Sequence, residues 1–277
     1  MNSNRTSRTN GGTARSGRAI GGAIVDLDGT VYRGERPIGG ARDGIESIRA
    51  AGVDVLFLTN KPVERRRTYV DALRAAGIDV SRPAVVTSAV ITADYLAATH
   101  ADDPIYVVGE APLVDELSEA GLEVTSTPAE AGVVLASMDR SFEYGVLEDV
   151  LEAFENEPAF YATNPDRTCP VEGGEIPDAG AMIGAIEGLV GRELDAVLGK
   201  PSPIAVETAS ERLGVPPEEC LVVGDRLETD IEMGARAGMT TALVLSGVSS
   251  REDLERAAVT PDYVLEDLSE LASVIDR

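Results

Sequence analysis

The sequence predicts an α/β protein built on a parallel sheet covered on both faces, and three observations carry that expectation. Short apolar runs alternate with helix-like segments from Ala19 onward. The runs are apolar throughout rather than every second residue, the mark of a strand buried on both sides. Successive helix-like segments end at a glycine, which closes a helix in a left-handed turn.

The elements follow in order. Ala23–Val25 is the first strand, and the helix-like Ile45–Ala51 stops before Gly52. Val55–Leu58 is the second strand, followed by Val70–Ala76 before Gly77. Ile105–Val108, Val133–Ala136 and Phe160–Ala162 continue the strands, with Leu113–Ala120 before Gly121 between the first two. From Asp178 to Val190 a helix is expected: Met182, Ile183, Ile186, Leu189 and Val190 share one stripe and Asp178 caps its start. Ala196–Leu198, Leu221–Val223 and Ala242–Leu245 complete the strands, with helices Ile204–Leu213 before Gly214 and Ile231–Ala237 before Gly238.

Composition narrows the function. The chain has 277 residues, 43% hydrophobic and 26% charged, with net charge −24 and pI about 4.3. Phosphate-directed binding of nucleic acid needs a basic surface, and so does docking on anionic lipid; both are disfavoured. Any substrate phosphate must be met by a local positive site, such as a metal ion. No apolar run is long enough to span a bilayer, and no secretory signal is evident; a cytoplasmic protein is expected. Lys61 and Lys200 are the only lysines, every other cation being Arg. Acid excess with so little Lys suits a salt-loaded, halophilic cytoplasm; a GC-rich genome is the plainer account of the Arg. Cys169 and Cys220 read as reduced thiols and His100 as a surface histidine. Residues 1–18, almost without apolar side chains, are expected to be a disordered tail.

Four short segments carry chemistry, each following a predicted strand. Asp26-Leu27-Asp28-Gly29-Thr30 puts two carboxylates on one turn, one to attack phosphorus and one to handle a leaving-group proton. Thr59-Asn60 offers a hydroxyl and backbone amides to a phosphate oxygen. Lys200 offers a compact charge where Arg would present a wide fork. Gly224-Asp225, with Asp230 five residues on, offers hard oxygen ligands suited to Mg²⁺. Each also has a plain structural reading, as a turn, a helix cap or an exposed lysine; Lys61, beside the second segment, is either a cation that touches the substrate or one that simply faces solvent. Together they sit at the carboxyl ends of parallel strands, where such sheets bind ligands. The set is an inventory for phosphoryl transfer.

These four segments, in order, resemble the motifs of the haloacid dehalogenase superfamily. The NagD-like, para-nitrophenylphosphatase-type branch is closer still, through Thr87-Ser88-Ala89, Tyr106-Val107-Val108-Gly109-Glu110, Ala162-Thr163-Asn164-Pro165-Asp166, Gly199-Lys200-Pro201-Ser202-Pro203 and Leu245-Ser246-Gly247-Val248-Ser249. The resemblance covers roughly residues 20–275. It implies a Rossmann-like core with an inserted α/β cap of the C2 type. The boundaries expected are 19–84 and 178–277 for the core and 85–177 for the cap, because the candidate residues stop after Asn60 and resume at Lys200. The resemblance also implies roles. Asp26 is nucleophile and Mg²⁺ ligand; Asp28 is general acid and then base, its carbonyl touching the metal. Thr59, the Asn60 amide and Lys200 hold the phosphoryl group, and Asp225 and Asp230 complete the metal site. The superfamily's dehalogenases lack an acid at the position of Asp28, which favours a phosphatase.

Substrate choice is expected to rest with the cap. Asn164, Asp166 and the stretch 169–174 lie where this branch places its specificity loop. Asp166 and Glu172 would repel a second anion and bond hydroxyls, favouring a small phosphorylated metabolite: a sugar or polyol phosphate or a nucleoside monophosphate. A phosphotransferase or mutase, and a non-catalytic phosphate-binding module on the same fold, are the rival readings. Relatives in this branch form cap-to-cap dimers, so a homodimer through the cap is possible.

Overall fold

The computed structural model describes residues 19–34, 36–171 and 173–275. The expected tail at 1–18 and Glu172 lie outside the described residues. In chain order the elements are β1 (Gly22–Val25), a small hairpin of β2 (Tyr32–Arg33) and β3 (Arg36–Pro37), α1 (Ala41–Ala50), β4 (Asp54–Thr59), α2 (Arg66–Ala75), β5 (Val85–Thr87) and α3 (Ser88–Thr99). Next come β6 (Ile105–Val108), α4 (Ala111–Glu119), β7 (Val133–Ala136), α5 (Tyr144–Phe154), β8 (Ala159–Ala162), a hairpin of β9 (Thr168–Val171) and β10 (Gly174–Pro177), and α6 (Ala179–Val190). The chain closes with β11 (Ala196–Val197), α7 (Pro203–Leu213), β12 (Cys220–Gly224), α8 (Glu232–Ala237), β13 (Thr240–Val244), α9 (Arg251–Leu254), β14 (Tyr263–Leu265) and α10 (Ala272–Ile275).

Two parallel sheets result. The larger runs β14-β13-β12-β1-β4-β5 and the smaller β11-β8-β7-β6. Both are covered on both faces, as apolar strands require. On one side of the large sheet Val25, Phe57 and Val223 pack with Ile45, Ile48 and Leu73 of α1 and α2. On the other, Ile24, Leu56 and Val222 pack with Ala205, Ala209 and Met233 of α7 and α8.

The expected domain boundaries need correcting at both ends. Val85–Thr87, expected to open the cap, pairs with β4 in the large sheet, Thr59 opposite Thr87. Ala196–Val197, assigned to the core, pairs with β8 in the small sheet, and α6 packs there through Ile183 and Ile186. The chain of the small sheet and its helices therefore runs from beyond β5 to β11. Helix α3 stands between the sheets, with Val90 and Ile91 in the large-sheet cluster and Ala89, Ala93 and Leu96 in the small-sheet one. A helix apolar around most of its circumference has to be buried on most sides.

His100 is also corrected. It is not a free surface side chain: Nδ1 lies 2.8 Å from Asp103 Oδ2 and Nε2 lies 3.0 Å from the Tyr161 hydroxyl. Neither cysteine is in a disulfide; Cys169 and Cys220 are both buried. Among the described residues no helix is long and apolar enough to cross a membrane.

Candidate active site

The central strands β1, β4 and β12 run side by side, with Val25 level with both Val223 and Phe57. Their carboxyl ends therefore emerge together. The segment after β1 starts with Asp26, whose N–H donates to Val223 O at 2.9 Å, so the strand ladder itself sets its place. Gly29 has φ 86°, a left-handed conformation, and a β-carbon there would run into the Asp225 carboxylate. The glycine thus lets the first acidic loop close onto the β12 loop.

Four of the expected residues meet in a buried cluster. Lys200 Nζ is 2.6 Å from Asp26 Oδ1 and 2.6 Å from Asp230 Oδ1, and donates to Leu58 O at 3.0 Å. Carboxylate oxygens of Asp26, Asp225 and Asp230 all lie within 4.8 Å of one another. Asp230 sits in a single π-helical turn, Leu227–Ile231, that precedes α8; the helix begins at Glu232, one residue later than expected. This wide turn aims Asp230 back at the strand end, where its Oδ2 accepts from Arg226 N at 3.2 Å.

The charges do not balance. One ammonium faces three carboxylates withdrawn from water, an arrangement that costs several kcal/mol unless compensated. Burial raises the pKa of Asp26 well above the ordinary carboxylate value, with Lys200 opposing and Asp230 and Asp225 adding to the rise. Burial, reinforced by Asp230, pushes Asp225 up to about 7. Burial alone would lower Lys200, but Asp230 and Asp26 hold its ammonium above the usual value. Asp225 Oδ2 accepts from Val248 N at 2.7 Å, whereas its Oδ1 is buried without a hydrogen-bond partner. Convergent hard oxygens, surplus negative charge and an orphaned acceptor fit a divalent cation such as Mg²⁺.

Of the remaining expected residues, Asp28, Thr59, Asn60 and Asp166 line the same cleft; Asn164, expected there too, is instead fully buried and does not line it. Thr59 is buried at the end of β4, its hydroxyl accepting from Lys61 N at 3.1 Å. The Asn60 side chain is occupied within the protein: Oδ1 accepts from Lys200 N and Nδ2 donates to Lys200 O, both at 2.9 Å. Asp28 is half-buried, and burial raises its pKa while Lys61 opposes the rise. Asn164 donates to Asp166 Oδ2 at 3.1 Å and to Asp178 Oδ1 at 3.2 Å. Asp178 is the expected cap of α6, accepting from Ala179 N at 2.6 Å, and it lines the cleft as well.

Two lining residues extend the sequence reading. Lys61 does not simply face solvent: its Nζ is 3.8 Å from Asp28 Oδ1, inside the cleft. Arg226 was not anticipated, although it directly follows Asp225. Its guanidinium reaches Asp166, sixty positions away in sequence, at 3.5 Å, and such a long-range partner leaves no local mark.

Comparison with known proteins gives a consistent picture. The family model for haloacid dehalogenase-like hydrolases matches residues 23–123, and a HAD-hydrolase-like model matches residues 197–271. The Sugar-phosphatase AraL of Bacillus subtilis is 37% identical over 256 residues, covering 92% of this chain and 93% of that protein. An acid sugar phosphatase of Staphylococcus aureus is 34% identical, covering 92% and 97%. Among solved structures, p-nitrophenyl phosphatase from Archaeoglobus fulgidus superposes with TM-score 0.88 at 32% identity, over 92% of this chain and 99% of that one. NagD from E. coli K-12 superposes with TM-score 0.83 at 33% identity, over 91% and 98%.

Proposed function

The chain belongs to the haloacid dehalogenase-like hydrolases, in their NagD-like branch, and is a phosphatase; from that premise we propose that it is an Mg²⁺-dependent phosphomonoesterase using Asp26 as nucleophile. The observation that carries this reading is the Lys200 ammonium bridging Asp26 and Asp230 at 2.6 Å beside the orphaned Asp225 oxygen.

The reaction follows from the residues in place. An Asp26 carboxylate oxygen attacks phosphorus, the ester P–O bond breaks, and an aspartyl phosphate forms. Asp28, on the same turn, gives its proton to the departing alkoxide; burial helps it keep that proton to higher pH than an ordinary aspartic acid. Water then attacks phosphorus, Asp28 takes up the water proton, and the acyl-phosphate bond breaks to regenerate Asp26. Lys200, the Thr59 hydroxyl and the Asn60 backbone amide neutralise and orient the phosphoryl oxygens. The carboxylates of Asp26, Asp225 and Asp230 and the Asp28 carbonyl would hold Mg²⁺, which when bound supplies charge neutralisation to the transferring group.

The substrate is a small phosphorylated metabolite. The sugar-phosphatase relatives point to a sugar or polyol phosphate, and a nucleoside monophosphate is the other class with hydroxyls to offer. A homodimer through the cap belongs to the same proposal: Tyr144 and Leu151 of α5 expose 75% and 50% of their surface. A phosphate-release screen over sugar phosphates, polyol phosphates and nucleoside monophosphates, with Mg²⁺ or EDTA and at low and high salt, tests the reading. Turnover unaffected by EDTA would remove the metal from it.

A further inference from the structure

Asp166 was expected to meet substrate hydroxyls, yet its carboxylate is engaged by protein groups from three separate segments. Oδ2 accepts from Asn60 Nδ2 at 2.9 Å and from Asn164 Nδ2 at 3.1 Å. Oδ1 faces Arg226 Nη1 at 3.5 Å, while Arg226 Nη2 reaches Thr168 O at 3.4 Å. Asn60 and Arg226 belong to the core; Asn164, Asp166 and Thr168 belong to the cap. The side chain of Asp166 is only 10% exposed.

Each core partner leads directly to the reacting centre. The Asn60 amide that donates to Asp166 also clasps the Lys200 backbone on both sides, N–H and C=O. That backbone carries the ammonium resting on Asp26 and Asp230. The Arg226 N–H donates to Asp230 Oδ2, and its side chain continues outward to Asp166. One cap carboxylate is therefore a single residue removed from both the Lys200 loop and the Asp225–Asp230 turn. A group that accepts an amide and balances a guanidinium in one half-dry place fixes the spacing between the loops that bring them.

We infer that Asp166 is a positioning residue, a latch joining cap to core that holds the Asn60–Lys200 and Arg226–Asp230 pairs in register, and not a substrate contact. The inference rests on the phosphatase reading. Losing the latch leaves the fold: Asn60 keeps Lys200, and Arg226 keeps Thr168. What loosens is the relative placement of nucleophile, ammonium and metal-ligand turn. The reaction should slow for every substrate alike, including one with no hydroxyl to recognise.

The test measures kcat and KM for the unsubstituted enzyme, Asp166→Asn, Asp166→Ala, Arg226→Ala and the Asp166→Ala/Arg226→Ala double variant. The substrates are p-nitrophenyl phosphate and the sugar phosphate hydrolysed fastest. Supporting partners of a metal-phosphate centre typically affect activity by roughly 10–100-fold. A kcat loss of that size, equal on both substrates, is expected for Asp166→Ala, with KM little changed. Asp166→Asn, isosteric and still able to accept one bond, should lose less and guards against misfolding of the alanine variant. The double variant should be no worse than the weaker single. A loss confined to the sugar phosphate would make Asp166 a substrate contact and overturn the latch. So would single losses that multiply in the double variant, or no loss at all. An unsubstituted enzyme inactive on both substrates would instead refute the phosphatase reading beneath.

Discussion

Lys200 and Lys61, the only lysines in the chain, stand at the floor and the mouth of one cleft and are embedded quite differently. On the floor the Lys200 side chain is 3% exposed and has two carboxylates at 2.6 Å. At the mouth the Lys61 side chain is 28% exposed and its carboxylate is 3.8 Å away. Coulomb attraction between such groups grows several-fold as water is excluded, and so does the penalty for leaving one alone. Floor charges are thus bound up with both folding and the proposed chemistry, whereas the Lys61 charge at the mouth only adjusts its partner Asp28.

The floor can be broken in two ways that separate these roles. Asp26→Asn removes the proposed nucleophile and one of three crowded carboxylates while Lys200 keeps Asp230. Turnover should fall by a factor on the order of 10⁴ or more, with no loss of resistance to denaturant. Residual activity near the unsubstituted level would end the assignment. Lys200→Ala does the opposite to stability, leaving Asp26 and Asp230 without their cation. Removing one partner of a buried pair costs about 3–5 kcal/mol. Urea unfolding should register that loss in the metal-free protein, together with weaker phosphate binding. An unchanged unfolding midpoint would mean the floor is wetter than its geometry indicates.

Metal removal probes the same floor more gently. In the metal-free protein Asp225 is pushed from its ordinary 3.8 up to about 7, and Asp26 is raised as well. The folded chain then binds more protons than the unfolded one across that window. The contribution of Asp225 to stability is full below about pH 4, falls as pH rises toward 7 and is constant above, and the raised Asp26 adds a fall of the same sign. Melting curves in EDTA should show the decline between pH 5 and pH 7 as a drop of roughly several degrees. Saturating Mg²⁺ should largely abolish it, because the ion favours the charged carboxylates. A flat profile in EDTA would contradict the proposed crowding of charge.

The two ends of the cleft were also unequally legible. Asp26, Thr59 and Asp225 could be located because each follows an apolar run that had to be a buried strand, and parallel strands deliver their ends to one edge. Lys200 stood out by residue type. The mouth offered no such signal. Arg226 acquires its role from Asp166, and Asp166 from Asn60, partners whose proximity only the packed cap creates. The misplaced domain boundaries have the same cause. Val85–Thr87 and Ala196–Val197 are ordinary short apolar strands, and which sheet takes them depends on partners at Thr59 and Tyr161 rather than on their own composition.

The smallest effect is expected where the mouth merely tunes the floor. Burial raises the pKa of Asp28 and Lys61 pulls it back. Lys61→Met removes that pull, so Asp28 should hold its proton to higher pH. The limb of the pH–rate profile that reports it should move upward, by less than about one unit, since a half-solvated pair at this separation is weakly coupled. Because mobile ions screen such a pair within about a Debye length, the difference between the two enzymes should shrink as salt is added. Hydrolysis of p-nitrophenyl phosphate across pH, at low and high salt, measures both. A limb that stays in place would mean the Lys61 ammonium does not act on the acid, and the mouth would then owe its tuning to Arg226 and the cap alone.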